Sequence, residues 1–266
     1  DYLSNFETMN LIDTHAHLYL KQFENDRSKV TEDAIKNGVK SILLPNIEKK
    51  TTVSMLNLCN KYPNNCFPMI GVHPCAINDK NLEEELSHVE LELKKKKYIA
   101  VGEIGIDLYW EKKYLSVQKK AFAYQINLAK QYNLPVAIHV RNSFNEAIEI
   151  VEELNDDMLK GVFHCFSGTK NDAKRIINLG NFYLGIGGVV TFKNSKLENT
   201  LNSVQLENIL LETDAPYLTP EPYRGQRNES KHILDIAKKI SNIYGEKLEK
   251  IANITTANAK RLFNIK

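Results

Sequence analysis

The sequence predicts a single-domain α/β protein built as a (β/α)8 TIM barrel, and three observations point to it. Eight short apolar segments alternate with longer amphipathic stretches. The chain has 266 residues, a length that suits one barrel of about 250 residues. The residues able to do chemistry gather at one end of the apolar segments. An open doubly wound sheet shares the alternation, but eight units in succession favour closure.

The segments, in order, are Leu11-Ile12, Val39–Leu44, Phe67–Val72, Tyr98–Val101, Pro135–Val140, Gly161–Phe166, Phe182–Ile186 and Asn208–Leu211. Each gap leaves room for the dozen or more residues that a crossover between parallel strands needs. Asn37-Gly38 stops a helix before the second segment, Asn133-Leu134-Pro135 before the fifth and Leu179-Gly180 before the seventh. Ala121, Phe122, Gln125, Leu128 and Ala129 form one apolar helical stripe, and Ala147, Ile148 and Val151 another. Lys94–Lys97, the one block of like charge, reads as a solvated helix end on the face away from the chemistry. No repeat or linker divides the chain, so one domain over residues 1–266 is expected.

Composition and charge narrow the function. Net charge is +2, so any anionic ligand must be held by local groups rather than by a global basic field. No stretch approaches the roughly 20 apolar residues of a membrane span, and the N-terminus lacks a signal peptide's basic start and apolar run. A cytoplasmic protein without membrane contact is expected. Asp1 is not an initiator, so the natural start is either missing or is Met9, with residues 1–9 a leader or disordered segment. Cys59, Cys66, Cys75 and Cys165 contain no CxxC pair and are expected as reduced thiols.

Five of the seven histidines fall at or just past the C-terminal end of an apolar segment. His15 and His17 follow the first, His73 the third, His139 the fifth and His164 the sixth. Glu103 follows the fourth, and Glu212 and Asp214 the eighth. That end of a barrel carries the active site. Residues two apart on a strand point the same way, so His15 and His17 can share one metal at about 2.0–2.1 Å. A lone His-x-His is weak evidence. Joined by Glu103, His139, His164 and Asp214 it becomes a convergent metal set. Four histidines and two carboxylates exceed the needs of one tetrahedral ion and suffice for two divalent cations about 3.5–4 Å apart, bridged by a carboxylate. Asp214 is the better ligand of its pair because it lies nearer the mouth than Glu212. Zinc, manganese or iron suit the imidazoles, and magnesium the carboxylates and phosphate.

These residues sit in blocks that resemble the TatD family of metal-dependent deoxyribonucleases. The blocks are His15-Ala16-His17 after Leu11-Ile12-Asp13, Gly71-Val72-His73-Pro74, Gly102-Glu103-Ile104-Gly105-Ile106-Asp107, Ile138-His139-Val140-Arg141, His164-Cys165-Phe166-Ser167-Gly168, Glu212-Thr213-Asp214-Ala215-Pro216-Tyr217-Leu218 and the arginine loop Tyr223-Arg224-Gly225-Gln226-Arg227-Asn228-Glu229. The match runs from about Leu11 to Leu262, with the blocks in the family's order. The resemblance implies an amidohydrolase-like barrel acting on DNA phosphodiesters as an exonuclease or repair-type nuclease. It implies His15, His17, Glu103 and Asp214 around one cation, and His139 and His164 around a second, with Glu103 bridging. Val140 and Asn142 depart from the residues common beside the fifth-strand histidine. Ser230 stands where a proline commonly follows the Arg-Asn-Glu stretch. These departures touch the substrate groove and leave the ligands intact.

The expected chemistry is attack on phosphorus by a hydroxide activated by two cations, which lower the pKa of bound water towards about 7. Asp214 would take or orient the water's proton. Arg141, two residues past His139, would grip a phosphate oxygen. Arg224 and Arg227 lie in the loop after the eighth strand, where barrels often hold phosphate, although surface salt bridges would explain them too. His73 would donate to phosphate or to the leaving oxygen, or else serve the core. Asp107 is a substrate-contact or supporting residue by resemblance alone. Tyr109, Trp110 and Tyr217 are candidates for stacking on the bases of single-stranded DNA or DNA ends, with a core or rim role the equal alternative for each. His88 and His232 are assigned no role. Two rivals stand beside this reading. One is a barrel hydrolase cleaving an amide, lactone or phosphotriester, for which a carboxylated lysine often replaces Glu103. The other is a metal-binding protein without catalysis.

Overall fold

The computed structural model describes residues 10–110 and 112–266; the leader or disordered segment expected over 1–9 lies outside them. Strands and helices alternate: β1 (Leu11–Asp13), α1 (Arg27–Lys36), β2 (Val39–Pro45), α2 (Thr52–Lys61), β3 (Cys66–Ile70), α3 (Leu82–Leu93), β4 (Ala100–Asp107), α4 (Leu115–Gln131), β5 (Val136–Arg141), α5 (Phe144–Leu154), β6 (Gly161–Phe163), α6 (Lys170–Asn178), β7 (Phe182–Ile186), α7 (Leu197–Leu201), β8 (Ile209–Leu211), α8 (Ile233–Tyr244) and α9 (Leu248–Phe263). The strands form one sheet in the order β1 to β8, every neighbouring pair parallel. The sheet closes through backbone bonds just past the strand ends. Thr14 N donates to Leu211 O at 3.1 Å, Asp214 N to His15 O at 2.8 Å and His17 N to Ala215 O at 2.7 Å.

The barrel is filled at one end and open at the other. Ile12, Leu43, Met69, Ala100, Ala137, Val162 and Leu210, one from each of seven strands, pack with Leu262 and Phe263 of α9 in a single buried cluster. The last turn of α9 thus plugs the barrel's N-terminal end, and Asn258 secures it by donating to Leu206 O and Ile209 O, both at 2.9 Å. Polar groups can therefore gather only at the C-terminal mouth. The predicted stripes on α4 and α5 are buried, and α1 and α6 end just before Gly38 and Gly180. The Lys94–Lys97 block follows α3 and precedes β4. The four cysteines are free thiols. Among the described residues no helix is long and apolar enough to cross a membrane.

Strand ends differ from the sequence reading where the chemistry sits. β4 runs on to Asp107, so Glu103 lies inside a strand rather than after one. It can do so because Gly105 sits at φ 144°, where a Cβ would fall 2.0 Å from His139 O; only glycine lets β5 pass that close. In the opposite sense, β1 ends at Asp13 and β6 at Phe163. His15 and His17 therefore do not share a direction through strand alternation within β1. The bridge between Ala16 and Ala215 keeps the chain extended there and gives the same result.

Candidate metal centre

The seam between β8 and β1 sets the first half of the site. Asp13 is fully buried and its carboxylate accepts from Thr213 N at 2.9 Å, Thr213 Oγ1 at 2.6 Å and His15 N at 3.3 Å. Burial lifts its pKa to about 7 against the pull of those hydrogen bonds. This clamp holds the His15 backbone beside Asp214, which adopts φ 57°, a left-handed conformation that is uncommon for non-glycine residues. Asn46, buried at the end of β2, pins the other half: its carbonyl accepts from Glu103 N at 3.0 Å, and its side chain donates to Gly71 O at 3.2 Å.

Around Glu103 the predicted ligands converge. Its Oε2 lies 3.2 Å from His15 Nε2 and 3.3 Å from His17 Nε2. Its Oε1 lies 2.8 Å from His139 Nδ1, 2.9 Å from His164 Nε2 and 3.4 Å from His73 Nε2. Asp214 Oδ1 closes the first group at 3.5 Å from His17 Nε2 and 3.8 Å from His15 Nε2. Among the described residues three sets of atoms, each mutually within 4.8 Å, could hold an ion: His15, Glu103 and His164; His15, His17 and Asp214; His73, Glu103 and His139.

For His17, His139, His164 and His73 the outer partner decides which nitrogen of the neutral ring carries the proton, whereas His15 Nδ1 is buried without a hydrogen-bond partner among the described residues. His17 Nδ1 donates to the Tyr19 hydroxyl oxygen at 3.0 Å, which in turn donates to Pro45 O at 2.5 Å. His139 Nε2 donates to Asp107 Oδ2 at 2.9 Å, and His164 Nδ1 to Glu212 Oε1 at 3.3 Å. These assignments follow from the partners' chemistry, and in the neutral ring, the form that binds a cation, each leaves the inward nitrogen as a lone pair. His73 is wired the opposite way. The Cys75 backbone N–H can only donate, and it reaches His73 Nδ1 at 3.0 Å, so a neutral His73 carries its proton on the inward Nε2.

Electrostatics agree with a cation site. Burial penalises the Glu103 carboxylate, but His73, His164 and His15 around it hold its pKa well below the usual range. Burial equally opposes charge on His17, yet Asp214 and Glu103 hold it up at about 10. His164 is raised against burial by Glu103 and Glu212, while burial and neighbouring histidines pull His15 down. Among the described residues every ion-pair partner of Glu103 and Asp214 is a histidine. Inward lone pairs and buried carboxylates with no Lys or Arg between them are a donor set for divalent cations. The residues present fit such ions.

The structure separates Glu212 from Asp214. Glu212 is fully buried and faces away from the first group, with Oε1 also accepting from Cys165 N at 2.5 Å. Its Oε2 fills a slot on β7 that exists because residue 185 is glycine; a Cβ there would lie 2.2 Å from that oxygen. Glu212→Ala is expected to lower metal affinity about 10- to 100-fold, the usual cost of losing a partner that orients a ligand. Metal titration by calorimetry checks this, and unchanged affinity would remove Glu212 from the site's support.

The substrate candidates divide. Asp107 supports His139 directly; burial works against its charge, but the His139 contact and the Trp110 and Tyr109 backbone N–H groups hold its pKa at about 2. The Tyr217 ring is half exposed, 6.4 Å from that of His17. Arg141 is exposed at the end of β5. Arg224 lies over the Phe192 ring at 3.9 Å and donates to Thr219 O at 3.2 Å. Arg227 is the correction: its guanidinium is taken by Asp26 at 2.6 and 2.8 Å, Glu229 at 3.0 Å and Gln22 O at 2.7 Å. It fastens the loop after β8 to the start of α1, which is the salt-bridging alternative to substrate contact that the sequence left open for it. Asp13, Tyr19 and Asn46 were not singled out from sequence. Their signal was a polar residue next to an apolar run, too common to select them.

The family model for TatD related DNase matches residues 12–264. The metal-dependent hydrolase YabD of Bacillus subtilis is 37% identical over 256 residues, covering 96% of this chain and 99% of that protein. The 3'-5' ssDNA/RNA exonuclease TatD of Rahnella is 31% identical over 253 residues, covering 93% and 95%. Among solved structures, YjjV of Escherichia coli, a TatD homologue, superposes with a TM-score of 0.87 at 30% identity, covering 96% of this chain and 98% of that one.

Proposed function

The chain belongs to the TatD-related DNase family of metal-dependent hydrolases, and from that membership we propose that it hydrolyses phosphodiester bonds of DNA, at single-stranded regions or ends, with two divalent cations. The observation that carries this reading is the division of labour within Glu103, whose Oε2 faces His15 and His17 while Oε1 faces His139 and His164. His15, His17, Asp214 and Glu103 Oε2 would hold one cation, and His139, His164 and Glu103 Oε1 the other. When bound, such cations would make water acidic and neutralise charge on the phosphoryl oxygens and the departing oxygen.

The chain's own groups do the rest. Asp214 is 9% exposed where Glu103 is 2%, so of the two carboxylates it is the one open to water and able to accept its proton. His73, whose Nδ1 accepts from the Cys75 N–H, carries an inward N–H when neutral and would use it on a phosphate oxygen. Arg141 offers a second cationic donor from the rim.

His73→Gln should leave two cations per chain by elemental analysis and weaken phosphate or product binding about 10- to 100-fold, the worth of a hydrogen bond to a charged group. Loss of a cation would instead make His73 a ligand. The overall reading is tested by assaying single-stranded DNA, double-stranded DNA, RNA and p-nitrophenyl esters with Mg, Mn, Zn and Fe. Hydrolysis of DNA above the other substrates is the expected result. Turnover of the esters or of amides with no action on nucleic acid would replace it.

A further inference from the structure

At the rim of the mouth a turn of two exposed aromatic residues is tied rigidly to the metal centre. Trp110 is 68% exposed and Tyr109 52%, in a protein whose composition includes a single tryptophan. Their backbone N–H groups donate to Asp107 Oδ1 at 3.1 and 2.9 Å, and Asp107 Oδ2 accepts from His139. The Arg141 guanidinium lies 3.8 Å from the centre of the Tyr109 ring and 5.4 Å from that of Trp110. β4 and β5 bring the two together, with Asp107 and Arg141 in register. Among the described residues no carboxylate pairs with Arg141, in contrast to Arg227.

A bare indole at the surface exposes apolar area to water for no gain in stability, and here a carboxylate that also orients a candidate ligand keeps the turn in place. Aromatic faces beside an unpaired guanidinium are what an unpaired nucleobase and its phosphate require: the ring stacks on the base and the cation meets the phosphate. We propose that Trp110, Tyr109 and Arg141 form a stacking platform for an unpaired nucleobase next to the phosphate held in the mouth. The proposal rests on the phosphodiesterase reading and adds what that reading lacks, the group that selects single-stranded substrate. A duplex hides its base faces within the stack, so the platform can engage only unpaired bases.

The single tryptophan makes the test direct. The metal-loaded protein is titrated with a labelled phosphorothioate oligothymidylate, which resists turnover, and with the same backbone carrying abasic sugars. Indole fluorescence and the label's anisotropy are both followed. Quenching by the oligothymidylate alone is expected, with both chains binding by anisotropy. Trp110→Ala should weaken the oligothymidylate about 5- to 100-fold, leave the abasic chain's affinity unchanged, and be rescued by Trp110→Phe. Equal binding of both chains, unaffected by Trp110→Ala, overturns the platform while the phosphodiesterase reading stands. If neither chain binds, both fall.

Discussion

Glu103→Ala is expected to abolish turnover and to strip both cations, with the barrel still folded. The size of the effect follows from position. Glu103 is 2% exposed and, among the described residues, is the only group whose two oxygens face both histidine clusters, so one truncation would remove a ligand from each of the two proposed cation sites. Losing an outer partner alone costs about 10- to 100-fold in affinity, and a shared inner ligand must cost more. The fold survives because Glu103 packs no apolar core; the interior layer of Ala100, Ala137 and Met69 lies below it. Elemental analysis, circular dichroism and a nuclease assay on one preparation decide the matter. A variant with two ions per chain and full activity would show that Glu103 does not bridge.

Chelation is the second large effect, and its pH dependence has a definite sign. Without metal, the site is held together by protons: Asp214 and Glu103 outweigh burial and keep His17 charged up to about 10. Its stabilising contribution is complete below the ordinary value of 6.5 and is lost as pH rises through about 10. A cation must displace those protons, so metal affinity climbs with pH and falls on acidification. EDTA should end activity, and Zn, Mn, Fe or Mg should restore it. At neutral pH the metal-loaded protein should melt about 5–10 °C above the chelated one when the free ion is near a hundred times its Kd. This gap should widen as pH is raised and shrink towards pH 5. Calorimetry in two buffers of different ionisation enthalpy counts the protons released. No release, or activity that survives exhaustive chelation, would exclude a metal site of this kind.

Much of this protein was legible in its residues. Alternating apolar and amphipathic segments gave the barrel, because a strand buried on both faces needs a continuous apolar run and its covering helix needs a stripe. His15, His17, Glu103, His139, His164 and Asp214 could be picked out because each stands at the end of such a run. Strand ends were less legible. Glu103 sits inside β4 and His164 beyond β6, since hydrogen bonding to neighbouring strands, not local hydropathy, decides where a strand stops. Arg227 shows the limit for charged side chains: sequence gives the charge, but only the fold shows that Asp26, 201 positions away, neutralises it.

The sequence by itself determined the class of fold through its periodicity, the family through the resemblance of its ordered motif blocks, and the converging side chains through residue chemistry near in the chain. Tertiary structure alone decided which nitrogen of His17, His139, His164 and His73 carries the proton in the neutral ring. That choice rests on Tyr19, Asp107, Glu212 and the Cys75 N–H, and for His139 and His164 the partner lies 32 and 48 positions away in the chain. An imidazole has two nearly equivalent tautomers. The energy separating them comes from the hydrogen-bond partner that the fold supplies.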